Sequence, residues 1–129
     1  MKIYKRHITS SEPIVVLPVT DNEAVVIGEC LKLANGKLTK ASGTDAVTHI
    51  AVSQVEAGTD KTAQVIEVQK DMEFLAALSA DGASLKVGDK VTIADDGVKV
   101  TATTDGGIAT IKAFHDAETG VDAEVVVTL

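Results

Sequence analysis

A hairpin-like stretch that occurs twice is the feature that most constrains how this chain folds. Residues 85–100, LKVGDKVTIADDGVKV, alternate apolar and polar side chains around an Asp-Asp-Gly step. Such alternation is typical of a half-buried β-strand, and the Asp-Gly step is typical of a tight turn. Residues 25–39, VVIGECLKLANGKLT, repeat this plan around an Asn-Gly turn. Because a hairpin cannot bury its apolar face alone, each copy predicts a surrounding sheet.

Glycines support the idea of an internal repeat. Three pairs recur at offsets of 60, 61 and 62 positions, namely Gly28 and Gly88, Gly36 and Gly97, and Gly58 and Gly120. Each half continues with an apolar segment, an acidic turn and a Val-rich strand. The pattern predicts an all-β fold, a small antiparallel barrel or sandwich built from two related β units. It also predicts one strand over residues 25–33, whereas DMEFLAAL at 71–78 fits either a strand or a helical turn, with extended structure favoured.

Composition narrows the class of protein. A length of 129 residues suits one domain, and with only three aromatic residues the core must be aliphatic. The net charge of −7 argues against a nucleic-acid surface and against docking on an anionic membrane. No apolar run is long enough to span a bilayer, and no apolar stretch of the signal-peptide kind follows the first charged residues. We therefore expect a protein that is made and used without secretion.

The first 23 residues differ from the rest of the chain. MKIYKRH concentrates basic side chains in an acidic protein, and Pro13 and Pro18 bracket a short strand-like segment. We interpret residues 1–23 as an extended N-terminal arm and residues 24–129 as a single β domain, while a frayed terminus remains the alternative. An extended arm can add a strand to the sheet edge of a neighbour. The candidate binding residues are Lys2, Ile3, Tyr4, Lys5, Arg6, Ile14, Val15, Val16 and Leu17.

Catalytic constellations are missing from the sequence. His7, His49 and His115 are isolated from carboxylates and cysteines at metal-ligand spacing. Cys30 has no partner for a disulfide and falls mid-strand, where a small buried hydrophobe is the expected role. No nucleophile elbow, phosphate-binding loop or dinucleotide fingerprint occurs. The sequence therefore predicts no catalytic residues, no metal and no cofactor.

Two other functions remain open. V-G-D-x-V at residues 87–91 occurs in many small barrels, including carrier domains that present a modified lysine at a hairpin tip. Lys37 follows the Asn-Gly turn, so a carrier-type or ligand-binding accessory barrel is the alternative, although the flanking Met typical of carriers is missing. A surface adhesin or carbohydrate module is a third hypothesis. The scarcity of aromatic side chains and of a signal peptide disfavours it.

The order of motifs resembles the small capsid decoration (cement) proteins of tailed phages. The stretches that carry the resemblance are residues 31–38, 50–52, 85–100, 108–113, 118–120 and 125–129. The resemblance implies a non-enzymatic β-barrel, often a homotrimer, that sits on the capsid exterior and stiffens it. The implied partner is the major capsid protein, with assembly in the host cytoplasm. Residues 110–112, TIK, depart from the glycine-containing step that is common in the family.

Overall fold

Ten short strands account for nearly all regular structure in the computed structural model, which describes residues 1–5 and 14–129. Within these residues the one helical element is a 3-10 turn, His115–Ala117. The strands are β1 (Lys2–Lys5), β2 (Val15–Pro18), β3 (Cys30–Ala34), β4 (Lys37–Lys40), β5 (His49–Ala51), β6 (Thr62–Glu67), β7 (Glu73–Ala77), β8 (Lys90–Val91), β9 (Ala109–Phe114) and β10 (Glu124–Thr128).

The strands form two five-stranded sheets in which every pair of neighbours is antiparallel. The first sheet has the order β2-β6-β5-β3-β4, and the second has the order β1-β7-β10-β9-β8. In the first sheet the chain beyond β2 returns to the far edge, where Val19 forms a parallel bridge with Leu38 and the Thr20 amide donates to the Leu38 carbonyl at 2.9 Å. The prediction of an all-β fold of two related units is confirmed.

The two units share their strand pairing residue by residue. We call residues 15–67 (β2 to β6) the first unit and residues 73–128 (β7 to β10) the second unit. Leu31 opposes His49 in the first unit, and Val91 opposes Ala109 in the second, so both partners shift by 60 positions. The glycine spacing seen in the sequence therefore reflects a repeated hydrogen-bonding scheme.

The remaining strands obey the same correspondence. Val16 of β2 opposes Gln64, and Leu75 of β7 opposes Val126, which makes β7 the counterpart of β2 at an offset of 59. The parallel bridge that joins the ends of the first sheet also has a counterpart, between Leu78 and Val100. Two strands are exceptions. β1 pairs with β7, and no described strand occupies the equivalent position beside β2, whereas β4 has no counterpart strand beside β8 among the described residues.

Apolar side chains collect in two cores, and the first sheet separates them. Leu31 faces a smaller core inside the first unit, together with Leu38 and Val65. Its neighbour Cys30 points to the opposite side, into a larger core built mainly by the second unit around Phe74. Successive residues of a strand point to opposite faces, so one strand can serve both cores. The first sheet is therefore buried on both faces where β3 begins, at Cys30 and Leu31.

Three local predictions can be compared with the strands. Most of residues 71–78 is extended, as favoured, because β7 runs over Glu73–Ala77. The strand predicted over residues 25–33 was wrong in its first part, because Gly28 has φ +87° inside a turn and β3 begins only at Cys30. The hairpin over residues 85–100 is present but short: its arms meet at the Ile93–Val100 bridge, whereas the two residues of β8 pair with β9.

Candidate binding surface

The candidate binding residues lie on the outer strands of both sheets. Lys2, Ile3, Tyr4 and Lys5 form β1, where Lys2 opposes Leu75 of β7. Val15, Val16 and Leu17 lie in β2, preceded by Ile14, and Arg6 falls outside the described residues. β1 pairs with β7, and β2 pairs with β6. The role of these residues in docking stays a prediction.

β2 presents an apolar outward face. Ile14 and Val16 are 58% and 59% exposed, while Val15 and Leu17 pack against the core of the first unit. The counterpart of Val16 in the second unit, Leu75, is only 7% exposed beside β1. Edge strands are usually protected by charges, and the stretch from Ile14 to Leu17 carries none. Exposed apolar side chains on an open edge strand are typical of a surface that binds another chain.

Sequence analysis missed a second pair of exposed apolar residues. Ile27 and Val87 are 64% and 63% exposed, and each precedes a glycine with positive φ in equivalent turns of the two units. The turns are closed by matching bonds, from the Glu29 amide to the Val26 carbonyl and from the Asp89 amide to the Lys86 carbonyl. The signal was visible, because an apolar residue stands directly before Gly28 and Gly88 alike.

A shallow groove lies beside the turn of the first unit. Its volume is about 290 Å³, and its lining includes Met1, Lys2, Ile27, Leu75, Ala77 and Val98. Ile27 comes from the first unit, whereas Leu75 and Ala77 lie on β7 of the second unit. The lining is mostly apolar and suits a contact with another protein surface more than polar chemistry.

The titratable groups that are buried do not assemble into a catalytic arrangement. Burial raises the pKa of the Cys30 thiol to about 12, and its Sγ lies 3.7 Å from the Met1 sulfur. Burial also lowers the pKa of His49, whose Nδ1 lies 2.8 Å from the Thr48 hydroxyl. Across residues 1–5 and 14–129 no group of three or more His, Cys, Asp or Glu side chains is placed to hold a metal ion.

One carboxylate is buried without full hydrogen bonding. Glu29 is 4% exposed, and its Oε2 atom has no hydrogen-bond partner among residues 1–5 and 14–129. Oε1 accepts a long bond of 3.4 Å from the Val26 amide. Burial raises the pKa of this carboxyl group. The turn around Gly97 packs against it, since a Cβ added at Gly97 would lie 3.1 Å from the Glu29 Cγ.

The lysine at the hairpin tip, on which the carrier alternative depends, forms an ion pair with a carboxylate of its own chain. Lys37 lies at the start of β4, and its Nζ is 3.5 Å from Asp21 Oδ1.

No helix within the described part of the chain is long and apolar enough to cross a membrane.

The fold and the exposed surfaces together define a two-unit, all-β module with apolar strands at its edge. No protein-family model and no curated protein sequence matches the chain. Among solved structures it is similar to the N base of the head fiber protein gp8.5 of bacteriophage phi29, with a TM-score of 0.60 and 17% identity. The match covers 91% of this chain and 94% of that one. The resemblance to a phage capsid-associated protein is thereby confirmed at the level of the fold.

Proposed function

We propose that this chain is a structural virion protein that binds the outer surface of a phage capsid and stabilises it. The observation that carries the proposal is the fold shared, over nearly its whole length, with the base of a phage head fiber. The proposed partner is the major capsid protein, and the proposed state is a homotrimer assembled in the host cytoplasm. The chain has no enzymatic role and needs no cofactor in this proposal.

The docking site in this proposal lies in the N-terminal segment, residues 1–23, which precedes the β domain of residues 24–129. Its described strands are β1 and β2, at the outer edges of the two sheets. Main-chain groups at the open edge of β2 supply affinity for a strand of the shell, while Ile14 and Val16 supply apolar contact. Lys2 and Lys5 supply electrostatic steering toward acidic groups, which makes association faster at low salt.

Co-sedimentation with capsids stripped of their decoration tests the proposal. Wild-type protein should bind at a saturating ratio and raise the temperature at which the shells release their DNA. Ile14→Lys should weaken binding, and Lys2→Glu should weaken it most at low salt. Val121→Lys is the matched control, because Val121 is equally exposed but lies outside the N-terminal segment. Wild-type protein that neither co-sediments nor stabilises any shell would contradict the proposal, and equal binding by all variants would contradict the docking site alone.

A further inference from the structure

In the second unit, β1 covers the outer edge of β7. The Val100 amide donates to the Ala77 carbonyl at 3.0 Å, on the side of β7 that faces away from β10. Residues two positions apart in an antiparallel strand turn their N–H and C=O groups to the same side. The backbone groups of Leu75 therefore also face away from β10. On that side Lys2 of β1 opposes Leu75, so the edge is paired.

The equivalent edge of the first unit has no such partner in the described chain. The Val19 amide donates to the Lys61 carbonyl at 2.9 Å, on the side of β2 that faces β6. By the same alternation the backbone groups of Leu17 face β6, whereas those of Val16 face away from it. Val16 is the counterpart of Leu75, yet no described strand lies beside it on that side. β2 thus presents the edge that β7 has covered.

The core beside this edge is also less covered than its counterpart. Ile3 of β1 opposes Phe74 and packs against the larger core, where Phe74 is fully buried. Val15 is the counterpart of Phe74 and packs against the smaller core, but it is only half-buried. Side chains directly opposite each other on paired strands are in contact. A strand that lay beside β2 as β1 lies beside β7 would therefore set one side chain against Val15.

We propose that the shell segment that binds β2 takes the place that β1 takes beside β7. It is an antiparallel strand whose backbone groups bond to the N–H and C=O of Val16. An aliphatic residue of this strand opposes Val15 and packs against the smaller core, as Ile3 does in the larger one. The next residue opposes Val16 on the outer face and is apolar, because Ile14 and Val16 are both exposed there. This contact rests on the proposed function and specifies its partner.

A second copy of the chain cannot supply the strand at a net gain. If β1 of one copy moved to β2 of another, it would leave its own β7 edge bare, so about as many hydrogen bonds would be lost as gained. Two β2 strands paired with each other would be related by a two-fold axis and would build a dimer rather than the proposed homotrimer. Each chain also carries a net charge of −7, which opposes both contacts.

Amide hydrogen exchange of the wild-type protein tests whether the edge is open and what closes it. In the free protein the Val16 amide should exchange at least about a hundredfold faster than the Leu17 amide, because only the Leu17 N–H faces β6. On stripped shells the Val16 amide should become protected. Protection already in the free protein would overturn the inference, since the edge would then be occupied without a shell. Unchanged exchange of Val16 on the shell would overturn it as well.

Proline at position 16 tests the pairing itself. Val16→Pro removes the edge-facing N–H but keeps the number of side-chain carbons, and Pro18 already stands two positions further along β2. The fold should therefore persist, which circular dichroism and urea denaturation check. Val16→Ala is the matched control, because it shortens the side chain and keeps the N–H. Val16→Pro should raise the dissociation constant for stripped shells at least about tenfold more than Val16→Ala does.

The outcomes separate this contact from the proposed function. Equal binding by the two Val16 variants would overturn the strand pairing and leave the proposed function intact, because the shell would then contact β2 through side chains alone. Failure of the wild type to bind any shell would contradict the proposed function, and the strand pairing with it.

Discussion

The backbone amide of Gly88 donates a hydrogen bond to the carbonyl oxygen of Ile111 at 2.8 Å, and this bond fixes the turn of the second unit on β9. The first unit makes the same bond from Gly28, but there the turn also touches the N-terminal residue. A Cβ added at Gly28 would lie 2.8 Å from the Met1 backbone, whereas no atom of the described residues lies within 4 Å of one added at Gly88. Equivalent glycines therefore have different surroundings.

Substitution of alanine at Gly28 and at Gly88 should distinguish the cost of backbone strain from the cost of a steric clash. Gly88→Ala should lower the free energy of unfolding by about 1–2 kcal/mol, because φ is +97° and alanine is strained there. Gly28→Ala should lower the free energy of unfolding by more than this, because it adds a clash with Met1 to the same backbone strain. Urea denaturation of both variants measures the difference. Equal losses would show that Met1 moves aside without cost.

Phe74 should be the most costly core side chain to truncate. It belongs to the larger core and has the largest side chain among the fully buried residues that the structure describes. Phe74→Ala should lower the free energy of unfolding by about 3–5 kcal/mol, because it removes buried surface and leaves a cavity. Val87→Ala is the exposed control and should change stability by less than about 0.5 kcal/mol. Thermal and urea unfolding check both values, and a small loss for Phe74→Ala would mean that the core collapses around the cavity.

Glu29 should make the protein less stable as pH rises. Its pKa is raised in the folded protein above its ordinary value of 4.5, so the folded state holds this proton more tightly than the unfolded state does. The stabilisation is complete below pH 4.5 and is lost as pH rises through the folded pKa. Glu29→Gln removes this dependence and should raise stability at pH 7 by about 1 kcal/mol.

Unfolding free energies between pH 4 and pH 8 measure this effect as the difference between Glu29→Gln and the wild type. The same substitution at the exposed Glu56 is the matched control and should leave the pH profile parallel to that of the wild type. Parallel profiles for Glu29→Gln would show that the carboxylate is hydrated or paired in solution.

Cys30 should resist thiol reagents until the protein unfolds. Its side chain is fully buried, and burial raises the pKa of the thiol to about 12, so the reactive thiolate is scarce at pH 8. Labelling by a thiol-disulfide exchange reagent should be slower than for the unfolded chain by several orders of magnitude and should track global unfolding in urea. Rapid labelling under native conditions would indicate local opening of β3 beside Met1.

Much of the architecture was predictable because glycine spacing and alternation are local signals. The Gly28 and Gly88 landmarks identified both units, and the short alternating runs identified the sheet. The alternation of apolar and polar residues predicted a strand wrongly at residues 25–29. Val26 and Ile27 are as apolar as strand residues, although they belong to a turn. The pairing of β1 with β7 could not be predicted, since it joins residues about 70 positions apart and no local pattern encodes such a partner.

The position of the candidate surface was predictable only in part. The apolar segment at Ile14 to Leu17 was found from its bracketing prolines, but which of its side chains face outward depends on its register with β6. Val87 was overlooked because an apolar residue inside a strand-like pattern is expected to be buried. Its exposure follows from the turn at Gly88, which directs the side chain away from the sheet.

The alternation of Cys30 and Leu31 between two cores bears on how this repeat could have arisen and how it unfolds. A unit that folded alone would fill one apolar interior, whereas β3 and β5 contribute side chains to two cores. The two units therefore depend on each other, because cutting the chain near residue 70 would strip one side of β3 and β5 of its cover. Unfolding should accordingly be one cooperative event for the whole chain, and neither half should survive alone as a folded fragment.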